Sequence, residues 1–156
     1  MKTLVVYYSR TGRTKKAAEE LAKALQCDLE EIVDTANRAG PLGWVTSVRE
    51  SRGKKPAKIE PAKKDPSEFD IVVIGTPIWA SSMSSPVRAY LIGNKDKLKN
   101  VAFFCTHGRS GAEKAFTEME SVCGKKPKAT LDITMDDISR GSDAEKIKKF
   151  AGEIKA

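Results

Sequence analysis

Unbroken apolar runs recur along the chain at residues 3–8, 71–74 and 101–105, rich in β-branched and aromatic side chains and free of polar alternation. A strand reads this way when both of its faces are covered. Between and after these runs the apolar positions switch to helical spacing: Ala17, Ala18, Leu21, Ala22 and Leu25; Val87, Tyr90 and Leu91; Ala115, Phe116, Met119 and Val122; Ala144, Ile147, Ala151 and Ile154. Punctuation at the helix starts agrees. Ser85 before Pro86 suits N-cap and N1, and Ser110 with Glu113 and Ser142 with Glu145 have the spacing of a capping box. Weaker strand patterns lie at 29–33 and 128–134. A helix framed by Leu42, Val45 and Val48 is predicted near 42–51, inside a Pro- and Gly-rich stretch whose tail crosses the surface as an extended loop. Strand and helix alternate throughout, so the expected class is α/β: a five-stranded parallel sheet with helices on both faces, in one domain over 1–156.

Composition narrows the chemistry. A chain of 156 residues, 40% hydrophobic and 31% charged, has the make-up of an ordinary globular protein and not of a disordered, collagen-like or disulfide-scaffold chain. At this size a compact fold buries roughly 70% of the unfolded surface. No apolar run approaches the ~18 residues of a membrane helix, and Arg10 cuts the apolar start too early for a signal sequence, so a cytoplasmic protein with no membrane partner is expected. Cys27, Cys105 and Cys123 are odd in number and far apart, which excludes a disulfide framework or a zinc site built from them alone. They read as buried free thiols; Cys105, beside a strand-end loop, could instead be redox-active. His107 is the only histidine and no G-x-S-x-G spacing occurs, so neither a multi-histidine metal site nor a serine triad is expected.

The net charge is +7, and residues 49–64 hold seven cations against two anions, which is +5 of it. The sign suits an anionic ligand or partner. Without interleaved aromatics or a nucleic-acid motif, this stretch reads as a solvated basic loop and not as a nucleic-acid site.

A parallel sheet of this kind binds ligands outside the carboxyl ends of its strands, which singles out the loops at 9–14, 76–85 and 106–111. The first reads Ser9-Arg10-Thr11-Gly12-Arg13-Thr14 and opens directly into a helix, so hydroxyls, a flexible glycine and helix N–H groups converge as an anion cradle. Neither the G-x-x-x-x-G-K-[ST] nor the G-x-G-x-x-G spacing is present, which argues against a nucleoside triphosphate or a Rossmann-bound nicotinamide. The same residues also fit an ordinary strand-to-helix turn capped by Thr11 or Thr14.

With its S-x-T-G-x-T loop after the first strand, Gly75-Thr76-Pro77-Ile78-Trp79 after the third, Ser85-Pro86-Val87-Arg88 opening the next helix and Thr106-His107-Gly108-Arg109-Ser110-Gly111 after the fourth, the sequence resembles the flavodoxin family over nearly its whole length. That resemblance implies a flavodoxin-like three-layer sandwich with strand order 2-1-3-4-5 and noncovalent FMN. Ser9, Thr11, Gly12, Arg13 and Thr14 would take the phosphate, with Arg10 and Arg13 either contacting it or shielding it. The ring system would lie between Thr76, Pro77, Ile78, Trp79 and Ala80 on one side and Thr106, His107, Gly108 and Gly111 on the other. Trp79 could supply the aromatic ledge or merely fill the gap between helix and sheet, while Trp44 reads as packing because no strand-end loop contains it.

Three departures from the family stand out. Residues 106–111 offer no carboxylate and carry Arg109 and His107, which would favour an anionic reduced ring and raise the potential. No tyrosine occupies the third loop as outer stacking partner; only His107 approximates one. Residues 77–92 contain no glycine, so Trp79-Ala80-Ser81-Ser82 would have to reach positive φ with side chains present, at a cost of about 1 kcal/mol or more.

The function implied is a flavodoxin, an FMN electron carrier shuttling low-potential electrons among redox partner proteins, here with acidic docking surfaces that meet the basic 49–64 stretch. The alternative is an FMN-dependent NAD(P)H oxidoreductase acting on quinones or free flavin, which the raised potential and missing glycine favour, although no extra dimerisation segment is evident. A third reading is an FMN-free domain that only binds partners.

Overall fold

The computed structural model describes residues 1–36 and 38–156. The three apolar runs form β1 (Thr3–Tyr7), β3 (Ile71–Trp79) and β5 (Asn100–His107), and the two weaker patterns form β2 (Asp28–Glu31) and β6 (Thr130–Thr134). These five pair in parallel in the order β2-β1-β3-β5-β6, with Val5 beside Leu29 and Val73, Val73 beside Ala102, and Phe104 beside Leu131. Counted along the chain, that is the expected 2-1-3-4-5. A sixth strand, the two-residue β4 (Ser82–Met83), pairs antiparallel with the end of β3.

Alternate residues of each strand point to opposite faces, and both faces are covered. Leu4, Val6, Val72, Ile74 and Phe103 pack under α3 (Ser85–Asn94) and α4 (Ala112–Cys123) through Val87, Tyr90, Leu91 and Met119. Val5, Tyr7, Val73, Phe104 and Ile133 pack under α1 (Arg13–Leu25) and α6 (Asp143–Lys155) through Ala18, Leu21, Ile147 and Phe150. Full burial of each large side chain contributes about 1.5–3 kcal/mol, which is why the runs carry no polar alternation.

Helix α2 (Gly40–Arg52) is built the other way round. Its buried residues are Gly43, Ser47 and Ser51, while Leu42 and Val45 face solvent at 82% and 51% exposure. The apolar spacing that predicted the helix therefore lies on its outer side. Beyond it the chain runs over the β2 edge, where Asp34 bridges to Ile59 and the buried Glu30 carboxylate accepts the Lys63 and Lys64 N–H groups at 2.9 and 2.8 Å. Among the described residues, no helix is long and apolar enough to cross a membrane.

Several local expectations change. Ser84, not Ser85, is the N-cap of α3, with Pro86 at N2, and the Ser84 side chain and N–H are both engaged with Thr76. The capping boxes at Ser110/Glu113 and Ser142/Glu145 do not form: α4 starts from Gly111 at φ 105°, and Ser142 sits in a helical conformation with its hydroxyl on Asp137. The capping box that exists is Thr134 with Asp137, opening the short α5 (Met135–Arg140).

Candidate functional site

The order of the sheet reverses between β1 and β3, and at the carboxyl ends of these strands and β5 a cleft of about 170 Å³ opens. Its floor and walls are Arg10, Thr11, Arg13, Thr14, Trp44, Pro77, Ile78, Trp79, Thr106, His107 and Gly108. Three loops far apart in the chain thus meet at one place.

The first loop is folded by its own residues. Gly12 lies at φ 99°, a left-handed conformation that costs a residue with Cβ about 1–2 kcal/mol, and its N–H donates to Ser9 Oγ at 2.9 Å. No side chain caps α1, so the hydroxyl turn predicted from Thr11 or Thr14 capping is not what forms, and the positive end of the helix dipole opens at the cleft with no acidic residue in its first turn. Buried Thr14 hydrogen-bonds Thr106 through their hydroxyls at 2.7 Å, which ties the first loop to the third. Arg10 is spent on structure: its guanidinium donates to the carbonyls of Arg38 and Gly40 at 2.9 and 3.0 Å, where the chain enters α2. Arg13 is exposed on the cleft wall.

The second loop is a tight hairpin. β3 and β4 pair Ile78 with Met83 and Trp79 with Ser82, leaving Ala80 and Ser81 as the two turn residues, at φ 53° and 61°. Positive φ at both positions is the signature of a type I′ turn, which asparagine and glycine normally supply. The strained conformation expected from the missing glycine is thus present, with its side chains. Polar contacts hold it: Ser82 Oγ donates to Glu118 at 2.7 Å, and Arg88 reaches both Ser82 and Glu118. Gly111, from the third loop, packs so close to this turn that a Cβ there would lie 2.9 Å from Ser81 Cα. Thr76 is fully buried with its hydroxyl donating to Ser84 Oγ, so it shapes the loop from below; Ser9, Gly12, Thr76, Ala80 and Gly111 do not line the cleft.

Trp79 presents its edge geometry to Tyr8, with centroids 5.6 Å apart and planes at 89°, and its ring face to the buried Arg38 guanidinium at 5.2 Å. Arg38 also pairs with Asp34 and with Glu50 at 2.6 Å. Burial pushes its pKa down, but hydrogen bonds to Asp34 and Glu50 outweigh that and hold it above the usual value. The same burial, helped by Asp34, raises the Tyr8 phenol to about 12, so it stays protonated and neutral.

At the third loop, His107 Nε2 makes a close contact with Asp132 Oδ1 on β6, and its Nδ1 is buried without a partner among the described residues. Cys105 Sγ lies 3.8 Å from the same carboxylate; burial first, and then Asp132, push this thiol far up. Cys105, His107 and Asp132 place their ligand atoms within 4.8 Å of one another. His107 and Asp132 thus join β5 to β6, with the buried Cys105 thiol beside them.

Sequence reasoning missed two residues. Asp132 sits mid-strand, and only the pairing of β5 with β6 brings it to His107. Trp44, which the sequence reads as packing, is 57% exposed and lines the cleft. Its signal was its position off the Leu42, Val45, Val48 spacing.

A family model described as flavodoxin matches residues 2–132. The chain belongs to the flavodoxin family. Among solved structures, this flavodoxin-family chain is similar to a flavoprotein from Lactobacillus acidophilus NCFM in complex with FMN (22% identity, TM-score 0.74, covering 90% of this chain and 98% of that one). It is similar to a Bacteroides eggerthii DSM 20697 protein taken to be a flavoprotein (25%, 0.77, 96% and 98%) and to oxidised flavodoxin 1 from Bacillus cereus (14%, 0.60, 98% and 96%). No curated protein matches.

Proposed function

We propose that this flavodoxin-family chain binds FMN in the cleft and acts as an electron carrier. The observation that carries the reading is the junction of β1 and α1: Ser9, Thr11 and Thr14 hydroxyls around an uncapped helix start, with the left-handed Gly12 at its tip, next to an aromatic-lined cleft. The donor set fits the cofactor. A phosphate monoester bearing close to two negative charges needs several N–H and O–H donors and is favoured at a helix N-terminus. A flat heterocycle needs an apolar ledge, which Pro77, Ile78 and Trp79 provide. Bound FMN supplies redox chemistry in one- or two-electron steps.

The chain's own residues bind and tune. Thr11 and Thr14 on the cleft wall hold the phosphate, Ser9 and Gly12 set the turn that carries them, Arg13 neutralises it, and Arg10 fixes the approach of α2. Thr76, Ala80 and Gly111 set the shape of the ring side, and Thr106, His107 and Gly108 form its far wall. The cleft lining holds no carboxylate among the described residues, while Arg10 and Arg13 lie in it, so negative charge accumulating there is favoured. Titrating the flavin-free protein with FMN and with riboflavin tests the reading: FMN binds much more tightly, and a preparation that takes up no FMN overturns it.

The basic stretch supports a partner with an acidic docking surface. Arg49, Arg52, Lys54, Lys55 and Lys58 are exposed and make no ion pair among the described residues. Electron transfer to such a partner slows markedly as ionic strength rises from about 0.01 to 0.15 M, measured by stopped flow.

The carboxylate-free lining also favours a second reading, an NAD(P)H-dependent oxidoreductase of quinones or free flavin. Sustained NADPH oxidation by the FMN-loaded protein with a quinone acceptor selects it over the carrier.

A further inference from the structure

Trp44 is a large aromatic left in solvent beside the cleft. It is 57% exposed, it makes no ring contact among the described residues, and it lines the cleft with Trp79 and His107. Exposure alone would mean little, but this indole shares a concave site with a second tryptophan, and tryptophan is enriched at contact surfaces.

Its placement is enforced. A Cβ on the preceding residue, Gly43, would lie 2.1 Å from the Arg38 carbonyl carbon, so α2 comes this close to the Arg38 main chain only because position 43 has no side chain. Arg10 clamps the same backbone through the carbonyls of Arg38 and Gly40. Farther along α2, Glu50 accepts from the Arg38 guanidinium at 2.6 Å and from the Ser85 hydroxyl at 2.5 Å. The helix is therefore fastened near both ends, and the indole that follows Gly43 is delivered to the cleft.

We infer that Trp44 forms a second aromatic wall of the site, a contact surface for the planar heterocycle of a flavin supplied from α2 and not from a strand-end loop. This rests on the cofactor reading above. The contact is made to the ring system, so it is independent of the phosphate. The apolar spacing of α2 lies elsewhere and the helix packs through Gly43, Ser47 and Ser51, so the fold does not need the indole.

The test uses the full-length, flavin-free protein titrated with FMN and, separately, with riboflavin, which lacks the phosphate. Trp44→Ala weakens both by the same factor, about 10-fold, the size of one aromatic stacking contact. Trp44→Phe recovers most of the loss, and the melting temperature of the flavin-free protein stays unchanged in both variants. Equal affinities of Trp44→Ala and wild type overturn the inference while leaving the cofactor reading intact. A loss confined to FMN overturns it by placing the effect at the phosphate, and a lowered melting temperature overturns it in favour of packing. A wild-type protein that binds no flavin removes the cofactor reading and this inference together.

Discussion

The two ends of the cleft are assembled in opposite ways. The end at Ser9–Gly12 is made by neighbours in sequence: Gly12 bends back onto Ser9, and α1 starts at once. The end at Trp79 is made by strangers, with Tyr8 from just after β1, Arg38 from before α2, Glu50 from within it, and Glu118 from α4 bracing the hairpin next door. Apart from Thr14, which is tied to Thr106 on β5, the residues of this locally encoded cradle make no side-chain hydrogen bond to the sheet among the described residues. The aromatic end depends on buried charge pairs, so its chemistry and the stability of the fold are hard to separate.

Removing the hub of the distant set has the largest expected effect. Arg38→Ala leaves Asp34 and Glu50 facing each other without their cation and lowers the unfolding free energy by about 3–5 kcal/mol in urea denaturation. A loss under about 1 kcal/mol would break the contrast. Thr14→Val comes next: Thr106 loses its one side-chain partner among the described residues, the protein is destabilised by about 1–3 kcal/mol, and FMN affinity falls more than riboflavin affinity. Ala80→Gly or Ser81→Gly has the opposite sign. Each relieves a left-handed turn residue and stabilises by up to about 1 kcal/mol, raising Tm by roughly 2–4 °C in calorimetry. An unchanged Tm would mean that the contacts to Glu118 and Arg88 already absorb the strain.

The smallest effect belongs to a local device away from the cleft. Burial opposes ionisation of Asp137, but Lys146, the Thr134 N–H and the Ser142 hydroxyl outweigh it and hold its pKa well below the usual carboxylate range. Because the folded value is the lower one, this stabilisation is complete above about pH 4 and disappears as the pH falls towards the folded value. Asp137→Asn costs about 1 kcal/mol at neutral pH and flattens the acid limb of a Tm-against-pH profile.

What could be read from residues alone follows the same divide. Val72-Val73-Ile74 and Phe103-Phe104 announce strands covered on both sides, and the loop from Ser9 to Thr14 announces an anion site, because each pattern is complete within a few positions. The missing glycine foretold the strained turn at Ala80 and Ser81, but nothing foretold β4, since two residues carry no period. The serines at 110 and 142 have the right spacing for caps and fail because Gly111 and Asp137 compete for the same turns. Asp132 and Trp44 escaped because strand pairing and helix placement, not neighbours in sequence, bring them to the site.

Helix α2 holds to the rest of the molecule through Arg38, Ser47, Ser51 and a bare glycine, with its greasy side chains turned outward. Its hold on the molecule is therefore made of hydrogen bonds and ion pairs more than of buried apolar area. The rim of the cleft is thereby stapled in place by charge and shape, and a planar guest meets a wall already standing.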